Sequence, residues 1–356
     1  MAGGAPEIWT AATRGWTDEL QQLLQEGGDV DARGGWNKST PLIEGAFWGH
    51  YETSRLLVRA RADVSARTSR RETALHFAVR MGHAAMVSLL LENGADVSAK
   101  QISGDSPLSE ASERGSEMVL RQLLVHGADV SSKNLRGKTP LHIASRGGGV
   151  AAVRLLLEHG SDVSARTHHG ETPLHEAVGA EQGRAVVRLL LEHGADSSAR
   201  DNSRATPLHA GAHTGNAAVV RLLLEHSADI SAKSVFGETA LHHAVAQGHG
   251  AVAKLLLEHG ADASAKENFR ETPLHSAVCR GEAMVNLLLV HKAEVSARKI
   301  DGETPLHSAA RCGHEAVMKR EREFFIASIL VQIHLIIEMI SADRPCAMGV
   351  RIPLSR

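Results

Sequence analysis

Histidine is the residue whose abundance first suggests chemistry, with 22 in a chain of 356 residues. Imidazole can act as a general base near neutral pH or ligate zinc. Either use needs side chains that converge, so spacing decides. The histidines fall into three columns. His76, His142, His175, His209, His242, His275 and His307 form the first. His126, His159, His193, His226, His259 and His291 form the second, and His50, His83, His249 and His314 the third. Most neighbours within a column are 33 or 34 residues apart, or a multiple of that. If a helical unit fills each interval, such neighbours lie about a helix-packing distance apart, ~8–10 Å. Two of them cannot then share a zinc that needs Zn–N bonds of ~2 Å. His242 and His243 are adjacent, and adjacent helical residues point apart. No metal site is expected; the first column is expected to hydrogen-bond to loops.

Charged residues form columns as well. Asp63, Asp96, Asp129, Asp162, Asp196, Asp229 and Asp262 recur where a short carboxylate can cap a turn. Arg33, Arg67, Lys100, Lys133, Arg166, Arg200, Lys233, Lys266 and Arg298 form a basic column, faced by Glu72, Asp105, Glu171, Glu238, Glu271 and Glu303. This reads as a solvated ladder whose exposed pairs are worth ~0–1 kcal/mol each. A nucleic-acid groove needs the cations without the acids, with aromatics between them. The net charge of −2 adds no bulk attraction, so no nucleic-acid partner is expected.

The chain has no phosphate-cradling glycine loop, Gly-x-Ser-x-Gly turn or paired-cysteine motif. Neither enzymatic activity nor a cofactor is expected. Three cysteines, Cys279, Cys312 and Cys346, are too few for a disulfide framework. They point to a reducing compartment, the cytoplasm first and the nucleus second, with Cys279 and Cys312 read as ordinary thiols. The opening MAGGAPEIWTAATRGW lacks the pattern of a signal peptide.

The elements that position these columns follow from one repeated unit. Thr-Pro-Leu-His or a variant begins at Thr40, Thr73, Ser106, Thr139, Thr172, Thr206, Thr239, Thr272 and Thr304, at steps of 33, 33, 33, 33, 34, 33, 33 and 32 residues. In the fullest unit, Asn134 to Arg166, Thr139 is an N-cap and Pro140 takes the first helical position, where its missing N–H costs nothing. Leu141 and Ala144 form the buried stripe of a short first helix, which glycines 147–149 end. Val153, Leu156 and Leu157 are expected on the inner face of a second helix, with Arg154 and Glu158 outside. Gly160 ends that helix, and an extended loop leads to the next unit.

This pattern resembles the ankyrin repeat family over about residues 5–318. The resemblance implies an all-α solenoid of about ten helix–turn–helix units with projecting β-hairpin-like loops. Residues 1–34 read as an N-terminal capping repeat, with Gln21, Gln22 and Gln25 outward. Residues 35–318 read as nine repeats, the last incomplete, and 319–356 as a tail. Arg61, Ser227 and Lys292 stand where glycine would cap a second helix, which predicts left-handed strain there. One residue is added in the 179–183 turn and one is missing around 282–292; slight changes of superhelix geometry are expected. Ser65, Ser98, Ser131 and Ser164 follow Asp-Val where many members carry a hydroxylated asparagine, so that modification is not expected there.

The apolar segment 324–340, FFIASILVQIHLIIEMI, breaks the pattern. It reads as a helix covering the open end of the stack, as a membrane tether or as an unrelated tail. Its 17 residues fall short of the ~20 needed to span, and Gln332, His334 and Glu338 are costly in hydrocarbon.

With the frame fixed, function is expected where the units differ. In the family this means loop tips and exposed positions of the first helix. Two clusters emerge, each also able to pack internally. Trp36, Phe47, Trp48, Arg80 and Met81 combine residue types enriched at interfaces, although their rings could pack on Trp16. Val235, Phe236, Phe269 and Ile300 lie at successive tips, and Leu135 is an apolar tip residue between the two clusters. The expectation is a monomeric, non-catalytic scaffold or adaptor whose partners are other proteins. A membrane-tethered regulatory protein is the alternative.

Overall fold

The computed structural model describes residues 7–312 apart from 148 and 181. The tail 319–356, its apolar segment 324–340 and the end of the last predicted repeat lie outside the described residues. The repeated sequence folds as paired helices in chain order. They are α1 (Glu7–Arg14) and α2 (Thr17–Gln25), α3 (Pro41–Trp48) and α4 (Tyr51–Arg59), α5 (Ala74–Met81) and α6 (Ala84–Glu92), α7 (Pro107–Arg114) and α8 (Glu117–Val125), and α9 (Pro140–Gly147) and α10 (Val150–Glu158). Next come α11 (Pro173–Ala177) and α12 (Gly183–Glu192), α13 (Pro207–Thr214) and α14 (Ala217–Glu225), α15 (Ala240–Gln247) and α16 (Gly250–Glu258), α17 (Pro273–Ala277) and α18 (Glu282–Val290), and α19 (Pro305–Cys312). No strand forms among the described residues; the hairpin-like loops contain a single β-bridge, Gly34 to Ser39.

The chain divides into two compact units, residues 1–234 and 235–356. In the first unit, odd-numbered helices pack on odd-numbered neighbours from α1 to α13, and even-numbered ones from α2 to α14. The second unit repeats this with α15, α17 and α19 on one side and α16 and α18 on the other. The contacts follow from the apolar stripe. Leu42, Leu75, Leu108, Leu141, Leu174 and Leu208 are fully buried in the first unit, as are Leu57, Leu90, Leu123, Leu156, Leu190 and Leu223 from the second helices. Burying each is worth ~1.5–3 kcal/mol. Ala144 and Val153 are buried as expected. Leu157 departs from expectation: it is half-buried, and Leu155 takes the inner place.

The first histidine column caps the helices. In the unit beginning at Thr139, the Thr139 backbone N–H donates to His142 Nδ1 at 3.2 Å. An amide N–H can only donate, so Nδ1 is the unprotonated nitrogen, and Nε2–H donates to the Glu171 carbonyl of the next loop at 3.1 Å. His175 reaches the Ala205 carbonyl in the same way, and in the second unit His242 and His275 reach those of Glu271 and Glu303. Threonine and histidine thus form a capping box with imidazole in the role usually taken by Glu or Gln. The neutral ring is the one that fits. Burial lowers the pKa of His76, His142, His175 and His275, that of His142 to about 4. The second column turns back along its own helix: His126, His159, His193, His226 and His259 bond the carbonyl four residues earlier.

The aspartates cap turns as expected, Asp129 accepting from the Ser131 N–H at 2.8 Å and Asp162 from that of Ser164 at 2.8 Å. The basic column does more than form a solvated ladder. Arg33, Lys100, Lys133 and Arg166 each donate to the main-chain carbonyl of the basic residue one unit later, at Arg67, Lys133, Arg166 and Arg200. Arg67, Arg200 and Lys266 instead reach Asp96, Asp229 and Glu294. These cations join adjacent loops.

Arg61, Ser227 and Lys292 have φ of 64°, 62° and 63°, the left-handed conformation expected of them. Glycine relieves that strain, so Arg61→Gly and Lys292→Gly should each stabilise by about 1 kcal/mol in urea unfolding. An unchanged or lower midpoint would show that the arginine and lysine side chains stabilise these turns by other means. The added and missing residues act locally. Each accompanies a first helix of five residues, α11 and α17, where most have eight, and Gly281 opens to φ 106°.

Candidate interaction surface

The loops between units end in two-residue tips held in a ladder of main-chain bonds. The amides of Ser69, Ile102, Leu135, His168 and Asn202 donate to the carbonyls of Asn37, Arg70, Ser103, Arg136 and His169 on the preceding tip. In the second unit Asn268 donates to Phe236 and Ile300 to Phe269. With the backbone groups used this way, tip side chains are directed outward. Trp36 is 81% exposed, and Leu135, Val235, Phe236, Phe269 and Ile300 are all exposed.

The N-terminal cluster divides into parts with different surroundings. Phe47 lies edge-on to Trp48 at 4.9 Å and to Phe77 at 5.8 Å, so its ring is half-buried in packing. Trp48 is 54% exposed at the end of α3, and Met81 is exposed at the end of α5. Trp36 stands apart on its tip with the Arg70 guanidinium 5.6 Å from its ring centre. Trp16 takes a cation of its own, Arg14 at 5.0 Å. Among the described residues no ring contact joins Trp16 to the cluster.

Arg80 is tied into the frame. Its guanidinium donates to Glu72 at 2.8 Å and to both oxygens of Glu110 at 2.8 and 3.1 Å. Both carboxylates are buried, at 5% and 8% exposure, and these bonds raise the arginine pKa above its ordinary value. Gln101 completes the group by donating to Glu110. The sequence marks Glu72 and Arg80 separately; that they meet depends on the fold.

A cavity of about 670 Å³ lies between the loops and the first helices farther along this unit, with Leu135, Arg136, Ile143 and Arg146 in its wall. Leu135 is expected from the sequence as a tip residue; Ile143 and Arg146 are missed there, because they share the cavity only once α9 is packed. Lys138 in the same wall is paired with Glu176 at 2.5 Å. Among the described residues, no three His, Cys, Asp or Glu side chains gather as a metal would need, and no helix is long and apolar enough to cross a membrane. Cys279 is disulfide-bonded. This corrects the expectation of an ordinary thiol.

The geometry agrees with known proteins. A family model described as ankyrin repeats in three copies matches residues 57–134, 108–201, 180–267 and 260–320, and one for a single ankyrin repeat matches residues 37–69. Among solved structures, the chain is similar to the ankyrin repeat domain of Bcl-3, described as a unique member of the IkappaB protein family. The two are 32% identical with a TM-score of 0.53, over 61% of this chain and 98% of that one. No curated protein matches the chain. Matches to 618 chains of solved structures show how widely the frame is shared, so the frame alone does not select a partner.

Proposed function

The chain belongs to the ankyrin repeat family, and on that premise we propose that it is a non-catalytic protein-interaction scaffold or adaptor. It would bind partner proteins through its loop tips and the exposed ends of its first helices. One contrast carries the reading. The recurring residues are consumed by the frame, with the leucines buried and the threonines and histidines bonded to each other and to the next loop. The residues that differ from unit to unit include large apolar side chains left in solvent, Trp36, Trp48, Met81 and Leu135 in the first unit and Phe236, Phe269 and Ile300 in the second. Exposed aromatic and methionine side chains on a rigid frame are the usual material of interface hot spots.

The test uses the full chain as bait and identifies the proteins that co-purify with it. Trp36→Ser and Trp48→Ser together remove the two exposed rings of the N-terminal cluster but leave Phe47 packed on Phe77. The double variant is expected to keep its helicity and lose its specific partner. A partner retained by that variant and lost by Phe236→Ser with Phe269→Ser would move the site to the second unit. If the wild-type chain captures no specific protein, the scaffold reading fails.

A further inference from the structure

Two adjacent fingers at the N-terminal end of the first unit, residues 33–39 and 67–72, carry cations that the frame does not neutralise. Arg33 is used in holding the fingers together, donating to the carbonyls of Lys38 and Arg67. Arg67 reaches Asp96 at 4.0 Å. Glu72, the carboxylate of the second finger, is buried and bonded to Arg80. Lys38, Arg70 and Arg71 remain, all exposed, and among the described residues no carboxylate pairs with any of them.

Their backbone conformation adds a second observation. Lys38 and Arg71 have φ of 56° and 62°, while the same turn in the next three fingers holds Gly104, Gly137 and Gly170 at φ of 75–80°. Glycine adopts that conformation freely and a long side chain does not. The first two fingers therefore carry a cation where the unstrained residue would be glycine. Strain kept at a surface turn points to a use for the side chain. Trp36 stands beside them, with Arg70 against one face of its ring.

We propose that this finger surface, Trp36 with Lys38, Arg70 and Arg71, docks a short acidic segment of a partner protein, whose carboxylates meet the three cations while an apolar side chain lies against Trp36. The inference rests on the scaffold reading and names the chemistry of the partner. The patch is two fingers wide and holds one exposed ring, already covered on one side. A nucleic-acid strand would call for successive rings along a basic track, and the next finger adds exposed Ile102 and an acid, Asp105. A short run of Asp or Glu fits the extent and sign of the patch.

The test measures fluorescence anisotropy of the full chain with three probes. These are a short labelled peptide of alternating glutamate and leucine, its glutamine counterpart, and an oligothymidylate of equal length. The glutamate peptide should bind at low salt, weaken as salt rises, and lose at least about tenfold in affinity when Lys38→Gly, Arg70→Ser and Arg71→Gly are combined. Glycine suits both left-handed positions, so this variant should fold at least as well as the parent. Trp36→Ala should also weaken the peptide. Arg204→Gly, which removes a left-handed cation from a distant finger, should leave it unchanged.

The proposal is overturned if the glutamate peptide does not bind, if the glutamine peptide binds equally, if the triple variant binds as the parent does, or if the oligothymidylate binds more tightly at the same residues. Each of these leaves the scaffold reading standing as long as the chain still captures a specific protein. Failure of that capture removes both.

Discussion

Replacing Arg80 by alanine is expected to destabilise the N-terminal unit by about 3–5 kcal/mol, the usual result of removing one partner from a buried ion pair. The substitution leaves Glu72 and Glu110 buried near one another. Among the described residues, their carboxylates then keep just the bonds from Thr68 at 3.5 Å and Gln101 at 2.8 Å. Arg80 also lies over the Phe77 ring at 5.3 Å, so its loss loosens the packing behind Phe47. Urea unfolding followed by circular dichroism checks this, with Arg80→Met, Glu72→Gln and Glu110→Gln combined as the companion variant. The triple change removes all three charges and should recover much of the loss. A single Arg80→Ala variant within about 0.5 kcal/mol of the parent would refute the structural role. The result also governs how binding data are read, because partner loss in an Arg80 variant would follow from unfolding before it implied contact.

Acid should weaken the fold in a window set by the capping histidines. His142 is buried and neutral, with its pKa lowered from an ordinary 6.5 to about 4. An unfolded chain accepts a proton there as pH falls through 6.5, while the folded chain refuses it until about 4. The stabilisation is therefore complete above pH 6.5 and declines as pH falls toward 4. Between pH 7 and 5 this ring alone should remove about 2 kcal/mol. His76, His175 and His275 are shifted in the same direction by burial and add to the slope. Most carboxylates are still ionised at pH 5, so the upper part of the window reports on histidine. Urea midpoints at pH 7.5, 6.5, 5.5 and 5 (chosen to span about the ordinary histidine value) should fall steadily. A flat profile would mean that the rings accept protons in place and that the capping box tolerates imidazolium.

Much of the frame could be read directly from the residues. Thr-Pro starts, mid-unit glycines and leucine spacing locate the helices, and Arg61, Ser227 and Lys292 adopt the left-handed conformation their positions require. These are local rules, and local rules can be seen in one sequence. The failures involve partners about one repeat away. Arg80 looks like an exposed first-helix residue until Glu110, 30 positions later, is placed beside it. The basic column looks like a solvated ladder until Lys100 is seen to bond the Lys133 carbonyl. Leu157 and Leu155 exchange places because a nine-residue helix between two neighbours has inward positions on more than one side. The unneutralised cations of the first two fingers follow the same rule: Glu72 stands in the second finger beside them, but its carboxylate is bonded to Arg80. Lys38, Arg71, Arg204 and Arg270 are left-handed as well, each two residues before a threonine start, where other units have glycine.

Scaffold function is decided by comparing the proteins retained by the full chain and by its Trp36→Ser/Trp48→Ser variant, with circular dichroism recorded on both. Equal helicity and loss of a specific protein in the variant are the expected result. A wild-type chain that retains no specific protein, while folded, would contradict the scaffold reading itself.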